Sequence, residues 1–285
     1  MNDLTNQLKR LEKILLELEY GNDGIYNSQF SNAAQESEIL MREKVVENSH
    51  DDYLKMISHH HSIPVMDREV IQLLQDLPEY SIVLDIGGSW GWHWRKLAKQ
   101  RPDIKVIILD FIRNNLTCAS ELLGNLINNQ IFLVHGDATQ SPFSENSFEL
   151  VWTVQTFQHI PDFELAVKES YRVLITDGRF INYSLNRACL IEMIYMVLRK
   201  NYHIKGHTKT FYLARASKEQ SQILVKIFNV KVSRRFTEIL FHPDLKLSFS
   251  GKENSFFGGI DAWLGGNTLL LGWLARQQSF EVQKI

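Results

Sequence analysis

The sequence predicts an α/β protein built on a mostly parallel sheet with helices on both faces. In the middle of the chain, short and almost continuously apolar runs alternate with segments of helical periodicity. Such runs are typical of strands buried on both faces, and intervening helices place successive strands in parallel. The predicted strands are SIVLDIG (81–87), KVIILD (105–110), IFLVHGD (131–137), FELVWTV (148–154) and GRFINYS (178–184).

Two further regions flank this alternating core. Residues 1–78 carry helical patterns, the first with leucines at helical spacing, and predict an N-terminal helical lid that covers the substrate. Residues 79–285 form the predicted main domain, interrupted by an insertion at about 185–220 after the fifth strand. The C-terminal FEVQKI at 280–285 predicts a closing strand.

Composition narrows the classes of function. The 285 residues carry a formal net charge of -2, which disfavours nucleic acid as the main partner. The first twenty residues are charged and lack the apolar run of a signal peptide, and no apolar stretch is long enough to cross a membrane. Cys118 and Cys189 lie too far apart for a disulfide framework or a zinc site. We therefore expect a cytoplasmic protein without a metal or a membrane span, and the sequence is compatible with a homodimer.

Acidic residues end three consecutive predicted strands, at Asp85, Asp110 and Asp137. In an open α/β sheet, ligands bind outside the carboxyl ends of the strands. The turn after Asp85 contains Gly87 and Gly91, and glycine lets a ligand approach the backbone closely. A carboxylate that ends the second strand can accept ribose hydroxyls, and one after the third can accept a base amino group. The pattern predicts a site for a nucleoside.

Two common phosphate-binding motifs do not fit this turn. Counted from Gly87, the second and third glycines of the dinucleotide pattern G-x-G-x-x-G fall on Ser89 and Trp92. The lysine and hydroxyl residue of a P-loop are also missing from the sequence at this turn. A dinucleotide or a nucleoside triphosphate is therefore disfavoured.

Four ordered motifs resemble those of class I S-adenosylmethionine-dependent methyltransferases. They are VLDIGGSWG, VIILD, VHGDATQSPFSENSFELVWTVQTFQHIPD and RVLITDGRFI, and together they cover about residues 80–184. Their order and spacing are more specific than any single motif. The resemblance implies a Rossmann-like seven-stranded sheet whose last strand is antiparallel. It also implies S-adenosyl-L-methionine as cofactor and S-adenosyl-L-homocysteine as product.

The resemblance assigns cofactor contacts residue by residue. Asp110 matches the residue that holds the ribose, and Asp137 with Ala138 matches the adenine contact. Thr153 falls where the fourth strand passes the methionine part of the cofactor. Ser89 departs from the family pattern, because it stands at the middle glycine of the first motif. The full predicted set is Asp85, Gly87, Ser89, Gly91, Asp110, Asp137, Ala138 and Thr153.

Two histidines are candidate general bases for an oxygen acceptor, namely His159 and His61. His159 alternatively only orients its loop. His61 belongs to three consecutive histidines at 59–61, which do not face one point on a helix and have no evident carboxylate partner. They are therefore interpreted as solvated lid residues rather than a metal site.

The predicted acceptor is a small molecule methylated on oxygen or nitrogen. The fourth strand runs into TVQT rather than the Asn/Asp-Pro-Pro-Tyr loop of enzymes that methylate amines of nucleic-acid bases. The basic stretch 199–209 suggests an anionic acceptor, such as a sugar or a natural-product intermediate. Two alternatives remain open: a non-catalytic methyltransferase-like partner protein, and a methyltransferase acting on RNA or protein.

Overall fold

The computed structural model describes residues 3–29, 62–186, 189–199, 218–239, 260, 263–264, 272 and 274–285. The helices are α1 (Leu4–Leu15), α2 (Ser62–Asp76), α3 (Leu97–Gln100), α4 (Arg113–Leu123), α5 (Phe163–Val173), α6 (Cys189–Val197) and α7 (Lys218–Phe228). The strands are β1 (Glu19–Tyr20), β2 (Tyr26–Asn27), β3 (Ile82–Ile86), β4 (Lys105–Asp110), β5 (Ile131–His135), β6 (Phe148–Val154), β7 (Leu174–Leu185), β8 (Ser233–Thr237) and β9 (Gln277–Gln283).

One mixed sheet joins the strands in the order β1-β2-β5-β4-β3-β6-β7-β9-β8. The five predicted strands are β3 to β7, and they lie parallel to one another. The predicted C-terminal strand is β9, which runs antiparallel to β7 and to β8. The Rossmann-like, mostly parallel α/β prediction is therefore confirmed.

The predicted number of strands is wrong, because the residues that the structure describes already form nine strands in this sheet rather than seven. The two additional strands are β1 and β2, which form an antiparallel pair of two residues each. Tyr26 of β2 pairs in parallel with Val134 of β5. This hairpin covers the edge of β5, whose backbone donors and acceptors would otherwise be exposed to another chain.

Both faces of the sheet are buried, as the apolar strands require. On one face, Leu84 and Val151 pack with residues of α5 and α7 in a cluster that includes Phe163 and Leu224. On the other face, Val83 packs with residues of α2 in a cluster that includes Trp94, Trp152 and Tyr183. Successive residues of a strand point to opposite faces, so each of the strands β3 to β7 contributes to both clusters.

Helix α1 lies at the amino-terminal ends of the parallel strands, which we call the amino-terminal edge of the sheet. The Gln7 side-chain amide donates to the carbonyl oxygens of Ser81 (3.3 Å) and Asp103 (2.7 Å), which lie just before β3 and β4. The Arg10 guanidinium lies 2.7 Å from the Glu149 carboxylate near the start of β6. The beginning of the predicted lid therefore contacts the edge opposite the carboxyl ends.

The remaining lid and insertion predictions are not tested by these contacts. Residues 30–61 of the predicted lid, including His61, lie outside the described residues, and so do residues 187–188 and 200–217 of the insertion. Among the residues that the structure does describe, no helix is both long and apolar enough to cross a membrane.

Candidate cofactor site

A cleft opens at the carboxyl ends of β3, β4 and β5. Its empty volume is about 350 Å³, including the part open to solvent. Five residues predicted from the sequence line it together: Gly87, Asp110, Asp137, Ala138 and His159. The topology therefore brings the ends of three strands and the turn after β6 to one place, as expected for ligand sites in open α/β sheets.

The turn after β3 requires glycine at Gly87. Its φ of +70° is in the left-handed region that favours glycine. A Cβ atom at this position would lie 2.2 Å from Cγ2 of Thr156. Thr156 donates from its hydroxyl to the Gly87 carbonyl at 3.2 Å, so the two loops are joined where they approach. Only glycine, which has no Cβ atom, allows Thr156 to lie this close to the backbone of residue 87.

Ser89 keeps the turn intact despite its departure from the family pattern. Its φ of 51° is left-handed, a conformation that costs a residue with a Cβ more than it costs glycine. Its backbone N–H donates to the Asp110 carboxylate at 3.0 Å. This bond ties the glycine turn of β3 to the end of β4, so the two predicted cofactor elements are held as one unit.

Asp110 is buried and carries two backbone hydrogen bonds on separate oxygens. Oδ2 accepts from Ser89, and Oδ1 accepts from the backbone N–H of Ile112 at 2.8 Å. An ionised carboxylate oxygen can accept more than one hydrogen bond, so this group can also accept hydroxyl donors from the cleft. Its position at the end of β4 fits the ribose role that the resemblance implies.

Asp85 does not line the cleft but lies buried beneath the turn. Its Oδ2 accepts from Nε1 of Trp94 at 2.6 Å, on the face of the sheet that α2 covers. Burial raises the pKa of the Asp85 carboxyl to about 7, and the nearby Asp110 also raises it. A Cβ atom on Gly88 would lie 2.3 Å from the same oxygen. Asp85 thus supports the turn from below, and direct cofactor contact by Asp85 stays a prediction.

Asp137 lines the cleft and also caps the turn that follows β5. Its Oδ1 accepts from the backbone N–H of Thr139 at 2.8 Å and from the Thr139 hydroxyl at 2.9 Å. This contact begins a short 3₁₀ helix at Ala138–Gln140. Asp137 and Ala138 also line the cleft. The capping therefore fixes the carboxylate at the cleft wall.

His159 ends a 3₁₀ turn, Phe157–His159, and lines the cleft. Its Nε2 lies 3.5 Å from Nε2 of Gln158, whose Oε1 accepts from the backbone N–H of Leu185 at 2.9 Å. The imidazole thus adjoins both the cleft and the end of β7. Thr153, by contrast, is fully buried within β6 and is not a lining residue, and its hydroxyl has no hydrogen-bond partner among the described residues.

Six lining residues were not in the predicted set. Ile86, Leu109 and Gly136 lie at the ends of β3, β4 and β5, and the other three are Phe111, Thr156 and Ile160. Each lies next to or near a residue that was predicted. Their proximity in the sequence to the predicted residues could have identified them, since apolar side chains beside polar groups at strand ends are common in ligand pockets.

Gly91 was predicted, but it does not line the cleft. A Cβ atom there would lie 2.5 Å from Leu123, so this glycine serves the packing of the turn.

Within the described ranges, no group of three or more side chains suited to a metal ion comes together. The three histidines at 59–61 lie outside those ranges.

Comparison with protein families identifies part of this chain directly. Residues 84–182, which run from within β3 to within β7, match a family model described as a methyltransferase domain. A demethylmenaquinone methyltransferase of Oceanobacillus iheyensis is 37% identical over 104 residues, or 36% of this chain and 43% of that protein. One from Staphylococcus carnosus is 33% identical over 138 residues, or 47% of this chain and 56% of that protein. The chain thus spans about half the length of these relatives.

Solved structures extend the likeness to most of the chain at the level of fold. An S-adenosylmethionine-dependent methyltransferase of Thermotoga maritima matches 85% of this chain and 99% of its own, with a TM-score of 0.54 and 18% identity. An S-adenosylmethionine-dependent methyltransferase of Aquifex aeolicus matches 82% of this chain and 97% of its own, with a TM-score of 0.53 and 14% identity. Residues 84–182 therefore match a methyltransferase domain, and most of the chain has the fold of these S-adenosylmethionine-dependent methyltransferases.

Proposed function

We propose that this protein is an S-adenosylmethionine-dependent methyltransferase that methylates an oxygen or nitrogen atom of a small molecule. The observation that carries the proposal is the buried Asp110 carboxylate, which is held by backbone N–H groups and lines one cleft with Gly87 and Asp137. The matched methyltransferase domain contains all three residues.

The cleft residues fit the adenosine part of this cofactor. Asp110 offers carboxylate oxygens at the place where a ribose would lie, and Asp137 offers them on the neighbouring strand end. The apolar Phe111 and Ile160 supply faces for a base. Glycine at position 87 permits the close approach of Thr156, and both residues line the cleft.

When bound, S-adenosylmethionine supplies a methyl group on a positively charged sulfur that is already activated for displacement. The main task of the chain is then to hold acceptor and methyl in line and to exclude water. Such positioning can contribute up to about 7–11 kcal/mol in the best-oriented systems. For an oxygen acceptor, the His159 imidazole at the cleft wall is the proposed general base. An amine acceptor needs less assistance once it is deprotonated.

The finer identity of the acceptor is part of the proposal. The names of the relatives, demethylmenaquinone methyltransferases, support a small molecule as acceptor. The basic stretch 199–209 supports an anionic one, and Lys205 and Lys209 are proposed to contact it. Replacing both lysines by glutamate should weaken acceptor binding, and unchanged acceptor affinity would contradict this assignment.

Calorimetric titration tests the cofactor assignment without knowledge of the acceptor. The native chain should bind S-adenosylmethionine and S-adenosylhomocysteine but not NAD. Asp110→Asn should lower the affinity about tenfold or more, because the neutral amide replaces a carboxylate that accepts ribose hydroxyls. Asp76→Asn is the matched control, since Asp76 is an exposed carboxylate at the end of α2 and does not line the cleft.

Two outcomes would contradict the proposal. If the native chain bound neither S-adenosylmethionine nor S-adenosylhomocysteine, the alternative of a non-catalytic partner protein would explain the fold better. If Asp110→Asn bound as tightly as the native chain, the ligand would lie elsewhere.

A further inference from the structure

Trp90 belongs to the glycine turn after β3, but its side chain does not line the cleft. The ring is buried, with 2% of the residue exposed. Its Nε1–H donates to Oδ1 of Asn115 at 3.3 Å. Asn115 is the third residue of α4, so this bond joins the glycine turn to the first turn of that helix.

The Asn115 amide satisfies both of its neighbours in only one orientation. An indole N–H can only donate, so the amide oxygen must face Trp90. The amide nitrogen then faces Asp110, where Nδ2 lies 3.4 Å from Oδ1 and 3.5 Å from Oδ2 of the carboxylate. An ionised carboxylate can only accept, so the opposite orientation would lose the hydrogen bonds on both sides. Trp90 therefore fixes Asn115 as a donor toward Asp110.

Asn115 is a third residue that donates to the Asp110 carboxylate. The backbone N–H groups of Ser89 and Ile112 each bond one oxygen, at 3.0 and 2.8 Å. The contacts of Asn115 are longer and individually weaker, but they reach both oxygens. Donors from three residues on two oxygens restrict rotation of the carboxylate about its Cβ–Cγ bond. This rotation decides which lone pairs face the cleft.

We propose that Asn115, oriented by Trp90, is a positioning residue that directs the Asp110 carboxylate toward the ribose hydroxyls of the cofactor. This role rests on the proposed function, in which Asp110 accepts those hydroxyls. Because Asn115 acts through Asp110, its contribution to binding depends on the hydroxyls. Replacing Asn115 should therefore weaken a ligand that carries them far more than the same ligand without them.

Calorimetric titration of the full chain with two ligands tests this role. The ligands are S-adenosylhomocysteine and its 2′,3′-dideoxy analogue, which lacks both ribose hydroxyls. Asn115→Asp keeps an acceptor for Nε1 of Trp90 but replaces the donor by a negative charge beside Asp110. It should weaken binding of S-adenosylhomocysteine about tenfold or more, and binding of the analogue about threefold at most.

Asn114→Asp is the matched control. It makes the same change one residue earlier in α4, and adjacent residues of a helix do not face each other. Both affinities should stay within about twofold of those of the native chain.

Trp90→Phe is a second, independent variant. It keeps a buried aromatic ring but has no N–H to orient the Asn115 amide. It should weaken binding of S-adenosylhomocysteine about threefold and leave binding of the analogue unchanged. The Tm of each variant checks that it folds, and if Asn115→Asp does not fold, Trp90→Phe decides.

The native chain separates failure of this role from failure of the proposed function. If it bound both ligands equally, the ribose contact of Asp110 would be contradicted, and the role of Asn115 with it. If it preferred S-adenosylhomocysteine but Asn115→Asp bound that ligand as tightly, only the role of Asn115 would be overturned. Equal losses for both ligands, or an equal loss in Asn114→Asp, would also overturn it. Unchanged binding by Trp90→Phe would overturn the orientation of Asn115 by Trp90.

Discussion

Polar groups lie at both ends of the parallel strands, but their surroundings differ between the amino ends and the carboxyl ends. At the amino-terminal edge, the buried Gln7 amide and the Arg10 guanidinium bond to the residues that precede β3, β4 and β6. At the carboxyl edge, Asp110 and Asp137 are held by nearby backbone N–H groups and still line a cleft. Polar groups at the amino ends form hydrogen bonds and an ion pair with α1, and these contacts stabilise the fold. The carboxylates at the carboxyl ends are held beside a cleft, where they can also contact a ligand.

The largest expected effect on stability comes from Asp85, under the glycine turn. Its carboxyl has an ordinary pKa of 3.8 in the unfolded chain, and burial raises the pKa to about 7 in the folded protein. Between these values the folded state retains a proton that the unfolded state has released. The free energy of unfolding should therefore fall as pH rises from about 4 to 7, by on the order of 4 kcal/mol at most.

Asp85→Asn should remove this pH dependence while it keeps an acceptor for Nε1 of Trp94. Urea unfolding of both proteins at several pH values between 4 and 7 measures it. Parallel pH profiles for the native chain and the variant would contradict the role of Asp85 as a buried carboxyl that titrates in this range.

The second prediction compares two glycines with positive φ, only one of which has a side chain packed against its α-carbon. Gly87→Ala adds a Cβ atom 2.2 Å from Thr156 at a φ of +70°. It should cost about 1–3 kcal/mol of stability and lower cofactor affinity about tenfold or more. Gly124→Ala is the matched control, because it also has a positive φ, +48°, but a Cβ atom there would meet nothing within 4 Å.

Gly124→Ala should cost about 1 kcal/mol and leave cofactor affinity unchanged. Chemical denaturation and calorimetric titration of both variants give the comparison. Equal losses of affinity in the two variants would mean that the approach of the chain at Gly87 has no special importance for the ligand.

The smallest expected effect lies at the amino-terminal edge. Gln7→Ala removes two hydrogen bonds to the carbonyls of Ser81 and Asp103 and should lower the free energy of unfolding by about 1–2 kcal/mol. Because α1 lies at the edge opposite the cleft, affinity for S-adenosylmethionine should not change. A loss of affinity in this variant would show that the two edges are not separate in function.

The sequence predicted the parallel core because burial on both faces leaves a local signature, the apolar run. It could not predict β1 and β2, because two residues form a strand only through their pairing with β5. The helical pattern of the first leucines predicted α1. The edge on which α1 lies depends on Gln7 and Arg10 bonding to residues far along the chain, and no local pattern contains that information.

The sequence also predicted part of the candidate site. Strand ends placed Asp110 and Asp137 at one cleft, as observed, and the candidate base His159 lines the same cleft. Strand ends also placed Asp85 there, and the family resemblance placed Thr153 there, but position along a strand does not say on which face a side chain lies. Asp85 faces Trp94, and Thr153 is buried within the sheet.

The most direct test of the central claim is a crystal structure of the full chain with S-adenosylhomocysteine. The account predicts that the adenosine lies in the cleft, with the ribose hydroxyls within hydrogen-bond distance of the Asp110 carboxylate and the base beside Asp137. Adenosine bound at another edge of the sheet, or in this cleft without contact to Asp110, would contradict it.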